Sequence, residues 1–100
     1  MKDEERHGLG TQTWPDGRRY EGGWVDDQYH GHGTCVYSCG DTYDGEFRDG
    51  LRDGQGLYVW ADGRTYMGEW RNDHRHGRGT CTDRHGVTRE EEWRDGMLIS

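Results

Sequence analysis

Aliphatic side chains are scarce in this chain. Only 28% of its 100 residues are hydrophobic, against roughly 45–50% in ordinary globular proteins, and Ile, Leu and Val are almost absent. That shortage excludes a thick core between two packed layers, and the length leaves room for one domain. No apolar run approaches the length needed to span a bilayer, and Met1-Lys2-Asp3-Glu4-Glu5 is too charged for a secretion signal. Cysteine is rare and odd in number, at three, which does not suit the disulfide framework of a secreted domain. A reducing, cytoplasmic setting is expected. Positive charge is also short, with 13 Lys and Arg against 20 Asp and Glu for a net charge of −7. Phosphate binding needs clustered Lys and Arg, so nucleic acid is not an expected partner.

Low hydrophobicity with high net charge ordinarily marks a disordered chain. Here 5 Trp, 6 Tyr and 1 Phe argue otherwise, because they sit on a fixed lattice. Tyr20, Tyr43 and Tyr66 stand 23 residues apart, as do Gly22, Gly45 and Gly68. Trp24, Phe47, Trp70 and Trp93 keep the same step, and so do the pairs Gly31/Gly33, Gly54/Gly56 and Gly77/Gly79, preceded by Gly8/Gly10. A further column runs Gly17, Gly40, Gly63, Gly86. A period of this size signals a stack of supersecondary units, each packed only on its neighbours.

One single repeat domain therefore fills residues 1–100. A partial repeat covers 6–19, full repeats 20–42, 43–65 and 66–88, a degenerate terminal repeat 89–96, and a tail 97–100. Each unit begins Tyr-x-Gly-x-Trp, which places aromatic rings on one face of a strand and residues such as Glu21 and Glu69 on the other. About five variable polar residues follow, then His-Gly-x-Gly and a β-prone run such as Thr34-Cys35-Val36-Tyr37 or Leu57-Tyr58-Val59-Trp60. Asp49-Gly50 and Asn72-Asp73-His74 carry turn chemistry within a unit, and Asp16-Gly17 and Asp62-Gly63 turn the chain into the next. The fold class is all-β: an elongated single-layer antiparallel stack of 23-residue β-hairpins. Seven or eight strands at roughly 4.8 Å spacing give a rod on the order of 35 Å long. The glycines Gly22, Gly45 and Gly68 are expected to receive an aromatic ring from an adjacent strand. Gly31, Gly54 and Gly77 are expected to take backbone angles that other residues avoid, and Gly33, Gly56 and Gly79 complete the structural set.

These columns resemble the MORN repeat (membrane occupation and recognition nexus). The match is closest in Tyr66-Met67-Gly68-Glu69-Trp70 with Arg75-His76-Gly77-Arg78-Gly79-Thr80, and nearly as good in Tyr20-Glu21-Gly22-Gly23-Trp24 with His30-Gly31-His32-Gly33-Thr34. Tyr43-Asp44-Gly45-Glu46-Phe47 with Asp53-Gly54-Gln55-Gly56 departs by Phe for Trp and Asp for His. The last copy has Arg89 for Tyr and Glu91 for Gly, which points to a terminal or capping element instead of a normal hairpin. The resemblance implies hairpin repeats in an elongated sheet, used as interaction scaffolds in cytoskeletal, axonemal and membrane-associated assemblies. Some relatives carry such repeats beside a kinase or methyltransferase domain. The bacterial choline-binding repeat shares the period and the Trp, Tyr and Gly, but lacks the His-Gly-x-Gly column.

Chemistry at a single site is not expected. His30, His32 and Cys35, or His74, His76 and Cys81, offer three ligands of zinc-binding type per unit. The two groups lie two units apart, too far to pool their ligands or to join Cys35 to Cys81. No metal site, cofactor or catalytic residue is therefore assigned. Parallel columns do not bring a nucleophile and a base onto one reacting atom, and the glycines alternate within hairpins instead of forming a phosphate loop.

The expected activity is non-enzymatic: a protein–protein interaction scaffold holding a helix or extended peptide of a cytoskeletal or axonemal partner. Two candidate aromatic rows are open to that role, Tyr20, Trp24, Tyr43, Phe47, Tyr66 and Trp70, and Trp14, Tyr37 and Trp60. Periodicity does not say which faces outward. An acidic rim would favour basic partners by steering. A second copy could join through the sheet edge or the terminal repeat. Two other readings stay open. One is a phospholipid tether using Arg6 with Arg18 and Arg19, or Arg71, Arg75 and Arg78. The other is the repeat portion of a larger enzyme. Met97-Leu98-Ile99 is either a frayed apolar end or an extra strand.

Overall fold

A computed structural model describes residues 8–99 of the chain; Arg6 and His7 of the opening part-repeat and Ser100 of the tail lie outside them. The described residues form nine strands: β1 (Gly8–Thr13), β2 (Arg19–Val25), β3 (Gln28–Val36), β4 (Thr42–Arg48), β5 (Leu51–Val59), β6 (Thr65–Arg71), β7 (His74–Thr82), β8 (Thr88–Arg94) and β9 (Met97–Leu98). They make one sheet in chain order, every pairing antiparallel. The all-β single-layer stack read from the sequence is the fold. It measures 50 × 24 × 17 Å, against the rod on the order of 35 Å expected, and a ninth strand adds about 5 Å to that expectation.

The ninth strand comes from the degenerate terminal repeat. β8 pairs with β7 in the same register as its forerunners, with Arg89 opposite Cys81 and Glu91 opposite Gly79. Asp95-Gly96 then turns into the short β9. A normal hairpin therefore survives the loss of Tyr and Gly, because backbone hydrogen bonds carry the pairing and do not depend on those side chains. Glu91 is buried, at 8% exposure. It accepts from Trp93 Nε1 at 3.1 Å and pairs with Arg89 at 3.4 Å.

Two kinds of turn alternate along the two long edges of the sheet. On one side Trp14 N–H donates to the Arg18 carbonyl at 2.9 Å and Gly17 N–H to the Trp14 carbonyl at 3.1 Å. The same pair recurs at Tyr37, Trp60 and Asp83. Gly17 has a φ of 99°, the left-handed conformation that closes a three-residue hairpin loop. On the other side the turns have only two residues. Asp26 and Asp27 take φ of 52° and 68°, and Asn72 and Asp73 50° and 75°, the primed-turn geometry that matches strand twist. The loop read at Asn72-Asp73-His74 is thus one residue shorter, since β7 begins at His74, and β3 and β5 likewise begin directly after their turns. Each two-residue turn also bonds back to the preceding hairpin: Gly50 N–H donates to the Tyr29 carbonyl, Asp73 N–H to that of Arg52 and Gly96 N–H to that of Arg75, at 2.8–2.9 Å.

The core is a row of rings. Tyr20, Tyr43 and Tyr66 have no exposed surface, and Trp24, Phe47, Trp70 and Cys35 are buried around them. The ring of Tyr20 lies against Gly33, that of Tyr43 against Gly56 and that of Tyr66 against Gly79, where an added Cβ would run into the ring. The receiving glycines are therefore Gly33, Gly56 and Gly79, not Gly22, Gly45 and Gly68 as expected. The latter face the Cα of the former across the strand pair, so both glycines of each pair are needed for the two backbones to approach. Each tyrosine hydroxyl then donates to a carbonyl three residues on in its own strand. Tyr20 bonds Gly23 and Tyr43 bonds Glu46 at 2.9 Å, and Tyr66 bonds Glu69 at 3.4 Å. Burial pushes the Tyr20 and Tyr66 phenols up to about 12 and raises Tyr43 as well. Gly31, Gly54 and Gly77 do take left-handed φ, at 79°, 110° and 74°.

Candidate interaction surface

Strand alternation gives the sheet two unlike faces. In β4 the buried residues Tyr43, Gly45 and Phe47 alternate with exposed Asp44, Glu46 and Arg48, and β6 repeats the pattern. The exposed side carries Glu21, Asp44, Glu46, Glu69, Glu90 and Glu92 interleaved with Arg19, Arg48, Arg71, Arg78 and Arg94, so it is of mixed charge, and the acidic excess of the described residues lies in the turns at Asp16, Asp26, Asp27, Asp49, Asp62, Asp83 and Asp95. An open groove of about 620 Å³ runs along the exposed side beside Glu46, Asp53, Glu69 and Arg71.

The ring face is organised in three rows. Its floor is the tyrosine row with Trp24, Phe47 and Trp70. Trp24 Nε1 donates to the Gly10 carbonyl at 3.1 Å, and Trp70 Nε1 to that of Gly56 at 3.3 Å. These six side chains, candidates for partner contact from the sequence, are 0–6% exposed and have almost no surface to offer a partner. They are the packing of the sheet itself.

Over the floor lies a row that sequence reading missed: Tyr29, Arg52 and Arg75, again 23 residues apart. Tyr29 stacks on Tyr20 with centroids 3.9 Å apart and planes 6° from parallel. The Arg52 guanidinium stands 4.6 Å from the Trp70 ring and 5.2 Å from Tyr58. That of Arg75 stands 3.7 Å from Trp93 and 5.7 Å from both Trp60 and Tyr66. Tyrosine and arginine look unrelated in a one-letter column, yet both present a flat group that stacks on an aromatic face. The shared step was the signal that could have found them.

The third row is Trp14, Tyr37 and Trp60, all half-buried and packed against the core cluster. Arg18 covers Trp14 at 4.8 Å and Arg64 covers Trp60 at 5.0 Å. Each arginine is held by its turn aspartate, Asp16 at 3.1 Å and Asp62 at 3.0 Å. Tyr58 donates to Asp41 at 2.7 Å, a hydrogen bond that holds the Asp41 carboxyl below its ordinary range. Of the nine aromatic candidates, these three alone keep open surface.

The arginines considered for lipid do not gather. Arg18 and Arg19 are engaged with Asp16 and Glu21. Arg75 stacks on the ring face, while Arg71 and Arg78 are exposed on the opposite one. Histidines pair locally, His32 with Asp44 at 2.8 Å and His76 with Asp95 at 3.6 Å. Among the described residues no three His, Cys, Asp or Glu converge as metal ligands, and the three cysteines are free.

A hairpin stack with a sealed aromatic floor and an open aromatic rim is a repeat scaffold, built to present a surface. The MORN repeat family model matches residues 2–18, 20–42, 43–63 and 66–87. The chain belongs to the MORN-repeat family, whose repeats are generally non-enzymatic modules for interaction with proteins or membranes.

Proposed function

We propose that this chain is a protein-interaction scaffold that holds a helix or extended segment of a cytoskeletal or axonemal partner on its ring face, in the cytoplasm. The observation that carries the reading is the half-open row of Trp14, Tyr37 and Trp60 on a sheet that has no second layer among the described residues. Large rings supply contact area at low entropic cost and dominate interface energies. The net charge of −7 steers basic regions of a partner toward the molecule. Among the described residues β1 and β9 are the outermost strands of the sheet, and a second copy pairing at such an edge belongs to this reading. An anionic-lipid tether is the weaker reading, because the arginines available for it are paired or divided between faces.

Affinity capture from cell extract tests this, comparing wild type with a Trp14/Tyr37/Trp60 to Ala variant whose fold is verified by circular dichroism. Proteins recovered by the wild type and lost from the variant are the expected result. Equal recovery by both would remove the ring face from the function, and firm binding of anionic vesicles in physiological salt would favour the tether.

A further inference from the structure

The row Tyr29, Arg52, Arg75 runs beside a turn column, Asp27, Gly50, Asp73, Gly96, at the same 23-residue step. At Arg52 the two columns join in an ion pair. Arg52 Nε donates to Asp73 Oδ1 at 2.6 Å, and its Nη2 donates to the Asp73 carbonyl at 3.1 Å. The guanidinium is thus held between aromatic walls with a carboxylate closing the open side. Charge-assisted contacts of this kind are short and strong, and arginine's planar fork suits them.

One unit further on, almost everything recurs. Arg75 sits between Trp93, Trp60 and Tyr66, and Gly96 N–H donates to its carbonyl as Asp73 N–H does to that of Arg52. The carboxylate does not recur, because Gly96 stands where Asp73 stood. No acidic side chain among the described residues pairs with the Arg75 guanidinium. The carboxylates nearby in the sequence are committed elsewhere: Glu91 to Trp93 Nε1 and Arg89, and Asp95 to His76. An open cavity of about 240 Å³ lies at this point, lined by Arg52, Asp73, Trp60, His74, Arg75 and Gly96 among others, with the Asp73 carboxylate already turned to Arg52.

We propose that Arg75 is a carboxylate anchor on the ring face, and that an Asp or Glu side chain of the bound segment takes the place that Asp73 takes beside Arg52. The proposal rests on the ring face being the docking face and adds what the bound segment must carry there: one acidic residue. This local demand is compatible with an acidic chain, since the exposed carboxylates lie on the opposite face and in the turns, not paired with Arg75.

The test is an NMR titration of the full chain, following the Arg75 Nε–Hε and Trp93 indole resonances. The probe is the peptide acetyl-Ala-Trp-Glu-Ala-Ala-amide, with its Gln counterpart as control. A saturable shift is expected with the Glu peptide, with binding at least about tenfold tighter than for Gln, the scale of one charge-assisted hydrogen bond. The variant Gly96→Asp supplies the carboxylate within the chain. Position 96 has a φ of 86°, close to the 75° that Asp73 already adopts, so the turn accommodates it, with His74 giving slightly. This variant should melt higher and lose the response. The converse variant, Asp73→Gly, should make the Arg52 Nε respond as well. Equal shifts with Glu and Gln, an unmoved Arg75, or an unchanged response in Gly96→Asp would overturn the proposal. Any of these would leave the capture comparison at Trp14, Tyr37 and Trp60 standing, and failure of that capture would leave the peptide result standing.

Discussion

Gly56→Ala should be one of the most damaging single-methyl additions to this protein. The new Cβ would fall within the ring of Tyr43, which has no exposed surface and no free volume to move into. Forcing a methyl into a packed core costs about 1–3 kcal/mol. As the ring is displaced, the Tyr43 hydrogen bond to the Glu46 carbonyl is lost as well, worth about 0.5–1.5 kcal/mol. Together the loss is about 2–4 kcal/mol, a large part of the roughly 5–15 kcal/mol that holds a domain of ordinary stability. Gly31→Ala is the control. It has no neighbour within 4 Å but a φ of 79°, so its cost is the left-handed conformation alone, about 1–2 kcal/mol. Urea unfolding followed by tryptophan fluorescence measures both. Gly33→Ala and Gly79→Ala should behave like Gly56→Ala, since Tyr20 and Tyr66 occupy the same seat. If the ring-seat glycines cost no more than Gly31, the tyrosine–glycine fit is not what holds successive strands together.

Alkaline pH should unfold the protein through the same rings. The unfolded chain releases phenolic protons near 10.0, whereas burial holds those of Tyr20 and Tyr66 to about 12. Between those values the unfolded state binds fewer protons, so stability falls as pH rises. Melting temperatures across that window, with tyrosinate absorbance read in parallel, check this; tyrosines that ionise at their ordinary value in an intact fold would contradict it. Thiol labelling should be ordered by burial. Exposed Cys39 should react first, while Cys35, buried and with its thiol raised by burial, should react no faster than the sheet opens; equal rates would show the floor to be open.

The repeat, its hairpins and its turns were legible because each rests on chemistry close along the chain. Tyr-x-Gly-x-Trp alternates with strand period, and Asp-Gly and Asn-Asp accept positive φ where a tight turn needs it. Asp26-Asp27 turns in the same way, with φ of 52° and 68°. Nine aromatic residues stood out in the sequence, but their shared period concealed two different environments. Six are floor and three are rim, and both sets stand on the same face.

The sequence by itself determined the architecture: a 23-residue period with glycine in four columns allows little other than a stack of hairpins. Tertiary structure decided which glycine each tyrosine covers, that Tyr29, Arg52 and Arg75 form one stacking row, and that Arg52 has a carboxylate where Arg75 has none. The physical reason is cross-strand register. The pairing slips between Gly22 and Trp24, and again at Gly45/Phe47 and Gly68/Trp70. That slip carries each ring across to Gly33, Gly56 or Gly79 and leaves a place above it for a flat group from the next strand. A slip of register is a property of two strands together, so no single stretch of sequence displays it.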